Sequence, residues 1–174
     1  MSEPELNLRV LVTVGTDFHP FQRLIDWADR WAEAHPASRV LVQHGSTPGP
    51  LLAEGVPFLS PDALHREMEA ADVVVTHGGP ATITEARRRR KLPVCVPRDP
   101  ALGEHVDDHQ LRFARFLGER GMVRLVTTED DFGGALAHAT QTSGAGSEQL
   151  EAIPPGVLRL GEIVARLVGE HRGR

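Results

Sequence analysis

Short apolar runs alternate with amphipathic segments along most of the chain. The runs are rich in β-branched residues and end at glycine, proline or other turn residues, which is typical of strands buried on both faces. They predict strands over 8–14, 39–43, 56–59, 72–76, 92–96 and 123–126. Segments with apolar residues every three or four positions predict helices near 21–31, 62–71, 80–86, 108–121, 130–139 and 157–168.

The regular alternation of strands and helices indicates an α/β fold, a Rossmann-like parallel sheet with helices on both faces. In such sheets ligands bind beyond the carboxyl ends of the strands, where the strand order reverses. The length of 174 residues fits a single domain, 1–174. Small and polar residues beginning at Thr142 predict a flexible joint over 142–155, before a C-terminal helix at 156–170.

The composition excludes several classes of protein. Hydrophobic residues make up 40% and charged residues 25%, which excludes a disordered chain. No apolar run approaches the roughly 20 residues of a membrane span. A net charge of −5 argues against binding to nucleic acid. A single cysteine, Cys95, and an acidic amino terminus without a secretion signal favour a cytoplasmic protein.

The loop after the first strand, Gly15–His19, can approach a ligand closely because glycine has no side chain. The helix that follows offers unpaired amides to an anion. A tight turn without a ligand explains this loop equally well, since it contains neither a GxGxxG dinucleotide fingerprint nor a Walker lysine. We interpret His19 as a solvated or capping histidine rather than as a catalytic acid or base.

The loop after the fourth strand, Thr76–Glu85, contains two adjacent glycines at the start of a helix. This arrangement can expose several amides to a diphosphate. Thr82 and Thr84 add hydroxyl groups, and the carboxylate of Glu85 can accept hydrogen bonds from both hydroxyls of a ribose. The alternative is a compact turn in which Glu85 is a solvated surface residue. The basic run that follows, Arg87–Lys91, predicts a solvated helix end or a contact with an anionic partner.

The loop after the fifth strand, Pro97–Gln110, is dense in carboxylate, imidazole and amide groups. These are the hydrogen-bond partners that sugar hydroxyls require. A metal site built from His105, Asp108 and His109 is the rival interpretation. The spacing of these residues matches no familiar zinc motif, and a helix N-terminus favours anions over cations, so we expect no metal. Asp107 or Asp108 can cap the helix that follows.

Three stretches of sequence, VTVGT, THGGPATITEA and PRDPALGEHVDDHQ, together resemble the carboxyl-terminal, donor-binding domain of glycosyltransferase family 28. The resemblance covers about Arg9 to Asp130. It is strongest to split members of the family, in which this domain is a separate protein. These are the catalytic subunit of the dolichol-pathway UDP-N-acetylglucosamine transferase and the related bacterial exopolysaccharide glycosyltransferase subunits. The resemblance implies the C-terminal half of a GT-B fold that binds a UDP-sugar without a metal or other cofactor.

The resemblance also implies roles for individual residues. Gly15 and Thr16 would lie beside the phosphates, Thr82 would contact the diphosphate, and Glu85 would hold the ribose. Ala81 stands where the family commonly has glycine, and its methyl group narrows the approach to the diphosphate. The other residues predicted to bind the UDP-sugar, with His109 and Gln110 nearest to the sugar hydroxyls, are His77, Gly78, Gly79, Arg98, Glu104, His105, Asp108, His109 and Gln110.

A GT-B enzyme needs two domains, and this chain is long enough for one. The resemblance therefore implies the donor-binding, catalytic subunit of an inverting, UDP-sugar-dependent hexosyltransferase. A membrane-associated partner would supply the acceptor site, the general base and a polyprenyl-linked glycan for polysaccharide synthesis. We expect a cytoplasmic protein, held at the inner face of the membrane through that partner, whose isolated chain transfers little sugar. The alternative is a non-catalytic nucleotide-sugar sensor or scaffold.

Overall fold

One six-stranded parallel sheet organises the protein. The computed structural model describes residues 6–145 and the isolated positions 156 and 159. The strands are β1 (Arg9–Thr13), β2 (Arg39–Gln43), β3 (Glu54–Val56), β4 (Val73–Thr76), β5 (Val94–Cys95) and β6 (Arg124–Leu125). The helices are α1 (Gln22–Ala34), α2 (Pro61–Ala70), α3 (Pro80–Arg88), α4 (His109–Glu119) and α5 (Glu129–Ala145), and a short 3₁₀ turn at Pro100–Leu102 precedes α4.

The strand order is β3-β2-β1-β4-β5-β6, and every neighbouring pair is parallel. The chain builds one half of the sheet outward from β1, then returns to β4 and builds the other half in the opposite direction. Val12 of β1 therefore pairs with Val42 of β2 on one side and with Val75 of β4 on the other. The order reverses between β1 and β4, and in open α/β sheets this is the point at which a ligand crevice is expected.

Helices cover both faces of the sheet, as the alternation of strands and helices predicts. Val10 and Val12 of β1 belong to a core shared with α1 and α5, whereas Leu11 packs on the opposite face with α2 and α3. On that opposite face, α4 packs against Cys95 of β5. The apolar stripe of α1 is fully buried and includes Leu24. The structure therefore confirms an α/β, Rossmann-like sheet.

Several element boundaries differ from the prediction. The third strand is Glu54–Val56 rather than 56–59, because Pro57 has no amide to donate to a neighbouring strand. The fifth strand is limited to Val94–Cys95, between two prolines. The last helix continues to Ala145, so the first residues of the predicted joint at 142–155 are helical. The rest of that joint, and the predicted helix at 156–170 apart from positions 156 and 159, lie outside the described residues.

Among the helices that the structure describes, none combines the length and the apolar composition of a membrane span.

Candidate functional site

The loops after β1 and β4 meet at the ring of His77. A Cβ atom added to Gly15 would lie 2.6 Å from His77 Cε1, and one added to Gly79 would lie at the same distance from that atom. Gly15 also has a φ of +78°, which favours glycine. The backbones of both loops therefore touch one imidazole ring, and a larger residue at either position would push the loops apart. This close approach lies at the point where the strand order reverses, and we refer to the space between the two loops as the crevice.

The loop over 14–19 turns its carbonyl groups into the protein. Arg98 and Gln43 donate hydrogen bonds to three of them, at distances of 2.7 to 3.2 Å. The amides of Gly15 and Thr16 have no acceptor among the described residues. Two adjacent amides without acceptors can donate hydrogen bonds to an anion.

Helix α3 begins beside this loop, and its N-terminus lacks a side-chain cap. Its N-cap residue is Gly79, whose carbonyl accepts the first intrahelical bond from Ile83 at 3.1 Å. By contrast, Ser60 caps α2 by accepting a hydrogen bond from Ala63. The open amides and the dipole of α3 add positive potential where the loop after β4 meets the loop after β1 at His77.

His77 is an uncharged part of the site at neutral pH. Burial and the nearby positive charge of Arg98 lower the pKa of His77 to about 4. Its backbone amide donates to Thr13 at 3.2 Å, while its ring Nδ1 is buried without a hydrogen-bond partner among the described residues. His77 therefore shapes the crevice and offers hydrogen bonds, whereas positive potential for an anion comes from backbone amides and from Arg98.

Two residues of the predicted site, Arg98 and Glu104, are buried beneath the loops after β1 and β5. Arg98 is fully buried and donates to the carbonyls of Val14, His19 and Glu104 at 2.7 to 2.9 Å. Glu104 is also buried and forms a bidentate ion pair with Arg23, at 2.8 and 2.9 Å. Their contacts join the loop after β1 to the loop after β5. The structure thus places Arg98 and Glu104 where they fix the walls of the crevice.

A chain of carboxylates and imidazoles runs from the loop after β1 to the start of α4. Buried His105 has its Nε2 3.6 Å from Asp17 Oδ2, and its Nδ1 accepts a hydrogen bond from the Asp107 amide. Because Nδ1 is the acceptor, Nε2 is the ring nitrogen that can donate, and it faces Asp17. Asp107 also accepts a hydrogen bond from the His109 amide and lies 3.0 Å from His109 Nδ1.

The residues where the loop after β5 joins α4 differ in their exposure to solvent. Asp108 is the N-cap residue of α4 but makes no capping hydrogen bond with its side chain. Asp108 and His109 are exposed, while Gln110 is half-buried with its Oε1 atom unpartnered among the described residues. The His109 side chain is therefore accessible at the start of α4, whereas the Gln110 carbonyl oxygen is enclosed.

Two polar side chains of α3 already have hydrogen-bond or ion-pair partners within the protein. Thr84 donates to the carbonyl of Pro80 at 2.8 Å, so its hydroxyl serves the helix itself. Glu85 forms ion pairs with Arg89 at 2.7 Å and Arg88 at 2.8 Å, and the hydrogen bond from Arg89 is the main cause that lowers the pKa of Glu85. Glu85 is thus an ionised, half-buried carboxylate that is already paired with two arginines. Thr82 is half-buried in the first turn of the helix.

The basic run at the end of α3, Arg87–Lys91, makes contacts within the domain. Arg87 is buried and donates to the carbonyl of Met122, and Lys91 donates to the carbonyl of Ala71. Arg90 is exposed and has a φ of +57°. This run therefore ends the helix and fastens it to neighbouring segments.

Sequence reasoning missed three polar residues that organise the site. Asp17 accepts hydrogen bonds from both the amide and the ring of His19, and the spacing of these two residues is the local signal of an Asx turn. The His19 side chain is only 18% exposed, which corrects its interpretation as a solvated histidine. The role of Arg23 has no local sequence signal, because its ion-pair partner Glu104 is 81 positions away in the sequence. Asp107 has the same two-residue spacing from His109 and accepts a hydrogen bond from its amide, so its local signal is also that of an Asx turn.

Within the described part of the chain, no three histidine, cysteine, aspartate or glutamate side chains converge as metal ligands would.

A cavity of about 400 Å³ lies apart from the crevice, between α4 and the edge strand β6. Its lining includes Leu92, Arg115 and Leu125, and it contains none of the predicted site residues.

Comparison with known proteins identifies the family. Residues 9–149 match the family model described as the glycosyltransferase family 28 C-terminal domain. The chain belongs to this family. The match spans the whole described sheet and all three loops of the crevice, so the family 28 domain and the fold described above are the same unit. A comparison with curated proteins gives no match.

Solved structures show that the family 28 domain is the C-terminal half of a GT-B fold. A glycosyltransferase of kitacinnamycin is 21% identical with a TM-score of 0.64, over 95% of this chain and 45% of that one. MurG of Acinetobacter baumannii is 18% identical with a TM-score of 0.62, over 95% of this chain and 54% of its own. The calicheamicin glycosyltransferase CalG4 is 18% identical with a TM-score of 0.59, over 100% and 44%. The family 28 domain spans about half the length of these structures.

Proposed function

We propose that the crevice between β1 and β4 binds the diphosphate of a UDP-sugar, and that this domain is the donor-binding, catalytic subunit of a hexosyltransferase. The observation that carries the proposal is the pair of unpartnered amides of Gly15 and Thr16 beside the uncapped N-terminus of α3. A diphosphate supplies oxygens that can accept hydrogen bonds from both groups of amides. His109 and Gln110, at the start of α4, would then bind hydroxyls of the sugar.

Half of a GT-B enzyme needs a second domain for its acceptor. The solved relatives are about twice as long as this chain, so the acceptor-binding half of a GT-B fold is not within this sequence, and we propose that a partner supplies it. Exposed apolar side chains in the loops at the carboxyl edge of the sheet supply a surface for it: Phe18, Phe58, Leu102 and Val106. We propose that the partner is membrane-associated, presents a polyprenyl-linked glycan at the cytoplasmic face, and completes an inverting transferase of polysaccharide synthesis. UDP-N-acetylglucosamine is the first donor to test.

The full chain is expected to bind UDP in calorimetry, and Glu85→Gln is expected to weaken that binding about tenfold, as loss of a hydrogen bond to a charged group does. The effect should depend on the ribose, because Glu85 is proposed to accept both of its hydroxyls. The wild-type chain should therefore prefer UDP to 2′-deoxy-UDP, and Glu85→Gln should lose this preference.

Glu119→Gln is the matched control, since Glu119 is an exposed carboxylate at the end of α4. Absence of UDP binding by the wild-type chain would refute the proposed function. If Glu85→Gln binds UDP and still prefers it to 2′-deoxy-UDP, Glu85 does not bind the ribose, and its role is limited to the ion pairs with Arg88 and Arg89.

A further inference from the structure

A carboxylate–imidazole pair lies directly after the unpartnered amides of the loop following β1. Asp17 Oδ1 lies 2.6 Å from His19 Nδ1 and accepts a second hydrogen bond, at 2.8 Å, from the His19 amide. A carboxylate can only accept hydrogen bonds, so Nδ1 carries a proton and Nε2 is the ring nitrogen left to face a ligand. Neither residue is among those proposed above to contact the UDP-sugar.

The pair is held in one orientation. Arg98 donates to the carbonyl of His19 at 2.7 Å, and the His19 ring stacks on Phe18 with a centroid distance of 4.1 Å. Ser46 contacts the carbonyls of Asp17 and Phe18. The side chains of Asp17 and His19 are 10% and 18% exposed, so the pair is largely enclosed while its edge reaches solvent. A fixed, partly enclosed imidazole is suited to meeting a bound group at short range.

The charges around His19 come from three directions. Asp17 lies on its own loop, Arg98 reaches its carbonyl from the start of the loop after β5, and the His105 ring of that loop lies 5.9 Å away. Burial acts to raise the pKa of Asp17, but hydrogen bonds from His19 and the charge of Arg98 outweigh it and lower the pKa. Asp17 is therefore ionised at neutral pH, and a diphosphate bound at Gly15 and Thr16 would add negative charge near the same ring.

We propose that His19, oriented by Asp17, is a phosphate-binding group of this site. It takes up a proton when a nucleoside diphosphate binds, and its Nε2–H donates to a phosphate oxygen. An imidazole with a carboxylate on one side and a diphosphate on the other is stabilised in its charged form by both. This inference rests on the proposed function, because it requires a diphosphate in the crevice.

The test is calorimetry of the full chain with UDP at pH 8, in two buffers with different ionisation enthalpies. At this pH the terminal phosphate of free UDP is ionised and an ordinary imidazole is neutral. The wild-type chain is expected to take up a proton on binding. His19→Gln should lose this uptake and bind UDP about tenfold more weakly, as expected when a charge-assisted hydrogen bond is removed.

Asp17→Asn separates this role from a purely structural one. At pH 8 it should bind UDP about as weakly as His19→Gln, by the same loss of a charged hydrogen bond. At pH 6 its imidazole is protonated more readily, so affinity should recover, whereas His19→Gln should not recover. His35→Gln is the control, because His35 lies at the C-terminal end of α1, away from the carboxyl edge of the sheet.

The outcomes distinguish the inference from the function on which it rests. If the wild-type chain does not bind UDP, the proposed function fails. If it binds UDP without taking up a proton, or if His19→Gln binds as tightly as wild type, the role of His19 is wrong while the proposed function stands. Equal weakening of Asp17→Asn at pH 8 and pH 6 would also overturn it, since a structural defect does not depend on imidazole protonation.

Discussion

Gly15→Ala is expected to weaken UDP binding by about 100-fold, the loss of two hydrogen bonds to a charged ligand. The added Cβ would lie 2.6 Å from His77 Cε1 and 2.7 Å from Nε2, closer than real Cβ atoms approach their neighbours. The φ of +78° at this position adds backbone strain for alanine. Since the amides of Gly15 and Thr16 must move together to relieve the clash, both are lost to the diphosphate. Calorimetry with UDP measures the effect.

Gly121→Ala is the matched control for backbone strain. Gly121 has a φ of +65°, yet a Cβ there would meet nothing within 4 Å. It should cost stability of about 1–2 kcal/mol, as a left-handed residue does, and leave UDP affinity unchanged. Adding His77→Ala to Gly15→Ala removes the ring that the Cβ strikes, so the double variant should recover stability relative to Gly15→Ala. UDP binding by Gly15→Ala at wild-type affinity would show that these amides do not hold the ligand.

Arg98→Met should lower the free energy of unfolding by about 3–5 kcal/mol, because three carbonyl groups lose a charged hydrogen-bond donor. The guanidinium is fully buried and serves the carbonyls of Val14, His19 and Glu104. Methionine has a similar apolar length but donates no hydrogen bond, so three acceptors lose their donor. Urea unfolding followed by circular dichroism measures the change.

Arg112→Met provides the comparison, because Arg112 is an exposed arginine on α4 and its loss should change stability by less than about 0.5 kcal/mol. Arg98→Lys should recover only part of the loss, since an ammonium group cannot reproduce the planar fork that reaches two loops. A loss for Arg98→Met as small as that for Arg112→Met would mean that the loops hold their positions without this network.

The sequence predicted the fold because its local signals agree with the global arrangement. Val10 and Val12 alternate with Leu11 on a strand covered on both faces, and the turn residues after each strand mark where the helices begin. The chemistry of the strand ends predicted three candidate loops, and the structure adds that the strand order reverses between β1 and β4. Gly15 and Gly79 lie there, although their shared contact with one ring depends on the tertiary structure.

The functional meaning of the polar residues was harder to predict. Arg98 and Glu104 occupy a loop at the correct edge of the sheet, and composition cannot distinguish a ligand-binding side chain from one that fixes the loop. The distinction depends on Arg23, which lies 81 positions before Glu104 and forms its ion pair only in the folded chain. His19 is a similar case, because its pairing with Asp17 is local but its enclosure comes from Arg98 and Phe18.

The most direct test of the donor site is a titration of the ¹⁵N-labelled full chain with UDP, followed by the backbone amide signals. The largest shifts are expected at Gly15, Thr16 and the first turn of α3, because these amides are proposed to donate to the diphosphate. Shifts concentrated instead at the cavity between α4 and β6, around Arg115 and Arg124, would contradict the account.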